Sequence, residues 1–407
     1  MDPIDHRQAV ARFRLAPPVA ALFLCGVISG CGGKVPTWDE MTTQQAPPAP
    51  PAKTIPNPSS VAQAEDPAQT LAWFKGLPPN QINDQALTRL TSMKSRLGDV
   101  NAIDARGSTI TDDGLAMLAK LPALRSLVLD STGVTDKGIT SLQGVPSLQS
   151  LSLNSTRVTD AGLGALALLP GLTRLELMNC DLTAADFVAV GKLPAIEVLI
   201  LDRVRELDDA GLDQICNAST LKSLHLDECV GLSDKGLVAL AKAPGLEEVL
   251  LNKSGISGVG LGQAVAKGGL KSLKVLAVSA TPISLPGARA INSIKSLESL
   301  NISHIVGMND VYFVEFVEGM KNLKDLNIEG SKGITGQGFA KIKVTANSLE
   351  TINAKDSGIL DPGLGFLKGH KKLKFIDLSN TPVTLAGVQQ FKKLVPTCEL
   401  LYAGNRY

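Results

Sequence analysis

From Val100 onward the chain repeats one arrangement of apolar and polar positions. The segment LRSLVLDSTGVTDKGITSLQGVPS (124–147) lies almost position for position on LQSLSLNSTRVTDAGLGALALLPG (148–171). Unit starts fall at Val100, Leu124, Leu148, Leu172, Ile196, Leu221, Leu246, Leu273, Leu297, Leu323, Leu349 and Leu373, which makes twelve units of 24 to 27 residues followed by a partial one, CELLYAG (398–404). Each unit opens LxxLxL, an alternation that suits a short strand with one buried face. A turn follows, then a helical stretch such as VTDAGLGALALLP (158–170). There Thr159 stands as N-cap, Asp160 in the first turn favours the helix dipole, Leu163, Leu166 and Leu169 share a face, and Pro170 closes the unit. One strand and one helix cannot bury that face alone, so the units must stack into a continuous core.

The flanks of the array read as caps. INDQALTRL (82–90) mimics the helical half of a unit, with Trp73 and Phe74 just ahead of it, so 67–99 is expected to be an N-terminal helical cap in which the two aromatics close the core. The repeats themselves span 100–398, and 399–407 forms a C-terminal capping segment with a strand near Leu400 and Leu401.

The LxxLxL openings, the small residue at the ninth repeat position (Ser108, Thr132, Thr156, Cys180, Cys229, Ser254, Thr281, Ser331, Ser357 and Thr381) and the (I/V/L)(T/S)D-x-GL helix start resemble leucine-rich repeats. Within that family they resemble the cysteine-containing and GALA-like bacterial subclasses, with Val204 and Ile305 as departures at the ninth position. The resemblance implies an α/β leucine-rich-repeat solenoid, a horseshoe with parallel strands on the concave face and helices on the convex face. For function it implies recognition of other molecules by the concave face and no particular chemistry.

Ahead of the cap, Arg7, Arg12 and Arg14 precede an apolar run, PPVAALFLCGVISG (17–30), of signal-peptide proportions. Ile28-Ser29-Gly30-Cys31 resembles a bacterial lipobox, so 1–30 are expected to be a lipoprotein signal peptide and Cys31 the site of lipid attachment. Gly32 after the cysteine, by resemblance to sorting signals, favours the outer membrane or cell surface over the inner membrane. Residues 31–66 are rich in Pro, Ala, Gln and Ser with almost no large aliphatics, which predicts a solvated tether with a coil reach of roughly 30 Å.

Composition narrows the function. The 407 residues are 44% hydrophobic, too apolar to be disordered throughout, and 40 basic residues against 39 acidic ones leave a net charge of +1. That balance reads as a near-neutral stack and argues against binding nucleic acid by phosphate neutralisation. With 2 Trp, 3 Tyr and 10 Phe, the core must be aliphatic and any recognition polar and aliphatic.

Candidate chemistry is sparse. Cys25 leaves with the signal, and Cys180 and Cys229 share a slot two units apart, roughly 9 to 10 Å at strand spacing, which is too far for a disulfide. They read, with Cys216 and Cys398, as buried thiols, and no Cys/His spacing suits a metal. Of His6, His225, His304 and His370, only His225 is expected on the concave face. Asp202 and Asp227 stand on neighbouring strands, but acids and amides recur down that ladder (Asp130, Asn154, Asn252), which points to a repeat preference and not to catalysis. No catalytic residue and no cofactor is expected.

The outward strand ladder from Asp104 to Asp377 turns apolar around His225, where Ile200 and Leu250 are flanked by Glu176, Asp202, Arg203, Asp227 and Asn252. This is an apolar centre with a polar rim, as interfaces have. The expected function is therefore a monomeric, non-enzymatic, lipid-anchored envelope protein that binds a protein, or a glycan, with its strand face and meets the membrane only through its lipid. The alternatives are a GALA-like F-box adaptor, suggested by GLPPNQINDQALTRL (76–90), and a purely structural envelope protein.

Overall fold

The computed structural model describes residues 66–93, 95–342 and 348–407. The expected signal peptide, Cys31 and the expected tether up to Glu65 lie outside these residues. Fourteen strands form one sheet in strict chain order. All neighbours pair in parallel and in register except the last two, Glu399–Tyr402 and Asn405–Arg406, which form an antiparallel pair closing the array. Each repeat strand has three residues, and the middle one enters the core: Ile103, Leu127, Leu151, Leu175, Leu199, Leu224 and their successors are all buried. Helical segments cover that inner side. Helix axes need about 8–10 Å between neighbours while strands need about 4.8 Å, so the stack bends with the strand face inside.

The predicted helical stretches are shorter than the sequence pattern suggests. In the unit of 158–170 an α-helix, Asp160–Ala165, passes into a 3₁₀ turn, Leu166–Leu168, ahead of Pro170. Thr159 takes the N-cap backbone position without accepting a cap bond. Its N–H and hydroxyl instead donate to Asp136 of the preceding repeat, at 2.8 and 2.7 Å. The same two-pronged acceptance joins Asp84 to Thr111, Asp112 to Thr135, Asp209 to Ser233 and Asp361 to Thr384. The glycine of the motif follows from this seam: a Cβ on Gly162 would stand 2.5 Å from Asp136 Oδ1. Thus, where the hook forms, the Thr or Ser is held by an Asp of the unit before, and the Gly makes room for the incoming carboxylate. Ala184 breaks the chain of hooks, and the Thr183 N–H is satisfied within its own helix by Asp186 at 2.5 Å.

At the N-terminal end, helices Pro67–Lys75 and Asp84–Thr91 precede the first repeat. Phe74 is buried there, while Trp73 is half-exposed under the Arg89 guanidinium, 3.9 Å from its ring centre. Because Asp84 holds Thr111, segment 82–91 is tied directly to the first repeat.

His370 occupies a slot that other units fill with Leu121, Val145, Leu169, Leu193, Ile294 or Met320, all buried. It is buried too, stands edge-on to Phe339 with centroids 6.2 Å apart, and its Nδ1 finds no partner among the described residues. Burial pushes its pKa down to about 4. A folded pKa below the ordinary 6.5 means the unfolded chain takes up the proton first, so stability is lost as pH falls from about 6.5 to 4. We expect His370→Leu to stabilise the protein at pH 7.5 and more so at pH 5, the gap widening by on the order of 1 kcal/mol per pH unit across that window. Urea midpoints at the two pH values check this; an unchanged gap would refute it.

Candidate functional site

Parallel sheets are ordinarily covered on both faces. Here one face carries helices and the other carries outward residues that are mostly polar, three rows deep, over the whole length of the stack. At its middle, the strand Ser223–His225 lies between Val198–Ile200 and Glu248–Leu250. Register aligns Ile200, His225, Leu250 and Ala277 in one row.

Two of the expected interface residues are not where an apolar docking patch needs them. Ile200 and Leu250 are only 5% and 2% exposed. On an inward-bending sheet, in-register side chains about 4.8 Å apart crowd one another, so short aliphatics sink between longer polar neighbours. The exposed apolar centre expected from the sequence is thereby corrected to a sealed floor. Glu176, partly exposed, pairs with Arg174 of its own strand at 2.8 Å. Arg203 is exposed in the following turn, in left-handed conformation, with its guanidinium 4.0 Å from Glu228.

His225 does stand on this face, in a cluster with two residues the sequence reading passed over. The Ser223 hydroxyl donates to Glu248 Oε2 at 2.6 Å, and His225 Nε2 lies 3.2 Å from Ser223 Oγ and 3.4 Å from Glu248 Oε2. The hydrogen bond with His225, then that from Ser223, holds the Glu248 carboxyl below the usual range. Ser, His and an acid invite a triad reading, but a triad histidine bridges serine and carboxylate with opposite ring nitrogens. Here one nitrogen meets both, and the serine proton points at the acid. The arrangement fixes three side chains and activates no nucleophile. Ser223 and Glu248 occupy the first outward position of their strands, and reading every outward row instead of the second alone would have found them.

The acid ladder has a structural task. Asp202 Oδ1 accepts the Asp227 N–H at 2.9 Å, Asp227 accepts the Asn252 N–H at 2.8 Å and its side-chain amide at 3.0 Å, and Asn252 Oδ1 accepts the Ser279 N–H at 2.7 Å. Asp130 and Asn154 do the same one repeat along. From Asn301 the acceptor moves two residues back and serves its own turn, at Ser303, Glu329, Lys355 and Ser379. Asp202, Asp227 and Asn252 are therefore largely engaged in joining repeats. Burial first, and the charge of Asp227 second, push Asp202 up to about 6; burial also raises Asp227. Among the described residues, no group of three or more His, Cys, Asp or Glu is placed to hold a metal. Cys180, Cys216, Cys229 and Cys398 are buried, with Cys180 and Cys229 donating to the Leu153 and Leu201 carbonyls of the preceding repeats.

The raised Asp202 pKa gives a signed expectation. Between pH 4 and 6 the folded chain holds the proton that the unfolded chain has lost, so stability falls as pH rises through that window. Asparagine already performs the same acceptance at 154 and 252. Asp202→Asn should match the parent near pH 4 and exceed it at pH 7.5 by on the order of 1 kcal/mol, discounted for partial water access. Denaturation midpoints at both pH values decide it, and a variant weaker at both would sink the assignment.

Comparison with known proteins bears on the fold. Family models for the leucine-rich repeat match residues 122–182 and 217–241. No curated protein matches the chain. Among solved structures, an internalin from Listeria monocytogenes is similar at TM-score 0.53 and 17% identity, covering 80% of this chain and 96% of that one. A leucine-rich-repeat protein from Leptospira interrogans matches at TM-score 0.47 and 17% identity, over 80% of this chain and 93% of its own. A plant peptide hormone receptor in complex with its hormone matches at 0.42 and 16%, over 76% and 48%.

Proposed function

Taking as premise that this chain is a leucine-rich-repeat protein, we propose that it is a non-enzymatic recognition protein whose strand face receives a protein partner. The observation that carries this reading is the uncovered polar face of a parallel sheet that runs the length of the stack. A face built from engaged hydrogen-bonding side chains over a sealed aliphatic floor suits a partner offering polar and basic groups. Glu176, His225 and Glu248, with Arg203 at the edge, supply the accessible contacts.

Lipid attachment at Cys31 belongs to the same proposal, with the solenoid held off an envelope membrane by the Pro-rich segment. Two measurements test it. Changing Cys31 to Ser should shift the protein from membrane to soluble fractions. Affinity capture from envelope extracts with the full chain, beside a Glu176→Lys, Glu248→Lys double variant of parental stability, should return a partner that the variant fails to retain. Partners held equally by both would place recognition elsewhere.

A further inference from the structure

The near-zero total charge hides a division along the stack. Residues 66–266 carry 17 Lys and Arg against 23 Asp and Glu, whereas 267–407 carry 18 against 11. The stack is therefore not neutral along its length: its first part is acidic and its last part basic.

Part of the basic excess is ordered. Lys271, Lys295, Lys321 and Lys371 each stand four residues before the first residue of a strand, Val275, Ser299, Asp325 and Phe375 respectively. Those strands are in register through Thr351, so the four lysines lie along one rim of the solenoid, at the strands' N-terminal ends. Four strand steps make the row about 19 Å long. In the earlier units the same place holds Pro122, Pro146, Pro170, Pro194, Ser219 and Pro244. All four lysines are exposed, and none makes an ion pair among the described residues; Lys295 donates only to Asn292 Oδ1, at 2.5 Å. The lysines three positions further on contrast with them: Lys274, Lys324 and Lys374 are held by Glu247, Glu298 and Glu350 of the preceding units at 2.7, 2.7 and 2.8 Å. The inner row is neutralised and the outer row is left open.

We propose that this rim binds a linear acidic polysaccharide. A file of ammonium groups one or two repeats apart matches a polymer whose carboxylates recur at intervals of the same order, and a row of unpaired charges gains from displacing small counterions. Ser272 stands next to Lys271, and Asn322, next to Lys321, donates its amide to the Lys295 carbonyl at 3.0 Å, tying two positions of the row together. A membrane surface fits less well: the two most exposed aliphatics of these units, Val306 and Val311, follow their strand and belong to the opposite rim. This surface is separate from the strand face and does not depend on its role.

The test uses the full chain and immobilised polygalacturonate, with neutral dextran as blank. Binding should weaken steeply with salt. Charge reversal of the row, Lys271→Glu, Lys295→Glu, Lys321→Glu and Lys371→Glu together, should lower affinity at least tenfold. The same number of reversals in the first part, at Lys75, Lys120, Lys192 and Lys235, should change it less than twofold. Circular dichroism and melting temperature must match the parent; if the reversed row does not fold, the corresponding Lys→Gln set is expected to give a smaller loss in the same direction. Equal losses in both sets, no loss in the rim set, or binding to phosphatidylglycerol vesicles with none to polygalacturonate would overturn the proposal.

Discussion

Leu224→Ala is expected to cost about 3–5 kcal/mol, at the upper end for a core truncation, and to split a single unfolding transition into two. Leu224 is fully buried at the centre of the stack, in register with Leu199 on one side and Val249 on the other. Its removal leaves a cavity that neighbouring repeats cannot close, because both are themselves pinned by hydrogen bonds across the seam. In a linear array each repeat is stabilised by its two neighbours, so a central lesion uncouples the parts on either side. Leu400→Ala, equally buried in the last parallel strand, faces only one repeat and should lower the midpoint without splitting the transition. Urea unfolding followed by circular dichroism separates the two cases; a single, equally shifted transition for both variants would contradict the linear coupling.

Gly287→Ala should be about as damaging, by roughly 3 kcal/mol or more, although it adds only one methyl group to a helix. A Cβ there would sit 1.9 Å from the Ser257 carbonyl oxygen and 3.2 Å from Gly258 Cα, so backbone and not a pliant side chain obstructs it. That carbonyl already accepts from the Ser284 N–H at 2.9 Å and is the contact that docks one repeat on the next. The control is Gly164, also helical, where a Cβ meets nothing within 4 Å. Gly164→Ala should stabilise by about 0.5–1 kcal/mol through helix propensity. Thermal melts of the pair give opposite signs if seam contact, and not glycine as such, sets the cost.

Much of this architecture could be read from residue spacing. The LxxLxL openings marked every parallel strand from Ile103 to Ile376, and the terminal strand near Leu400 was legible from its two leucines. The motif T-D-x-G-L announced helix starts, yet its second meaning was not legible: one-dimensional spacing places Asp136 in a first turn but does not show that its carboxylate faces Thr159, 23 residues later. The strand face shows the same limit. Alternation identified His225, Ile200 and Leu250 as outward, but whether an outward side chain is exposed depends on how closely adjacent repeats bend together.

Periodicity by itself determined the stacked α/β solenoid, because a 24-residue unit with one apolar face can satisfy that face only against copies of itself, while the aliphatic core expected from composition also takes in Phe187, Phe313, Phe316, Phe339 and Phe391. Tertiary structure alone decided which polar groups remain available. Stacking brings Asp136, Asp202 and Asp227 within 3 Å of the next repeat's backbone, committing Asp202 and Asp227 to the seam, sinking Ile200 and Leu250, assembling Ser223, His225 and Glu248, and leaving one row of lysines without ion pairs among the described residues. Hydrogen bonds and ion pairs form across space at strand spacing, while the sequence records only distance along the chain.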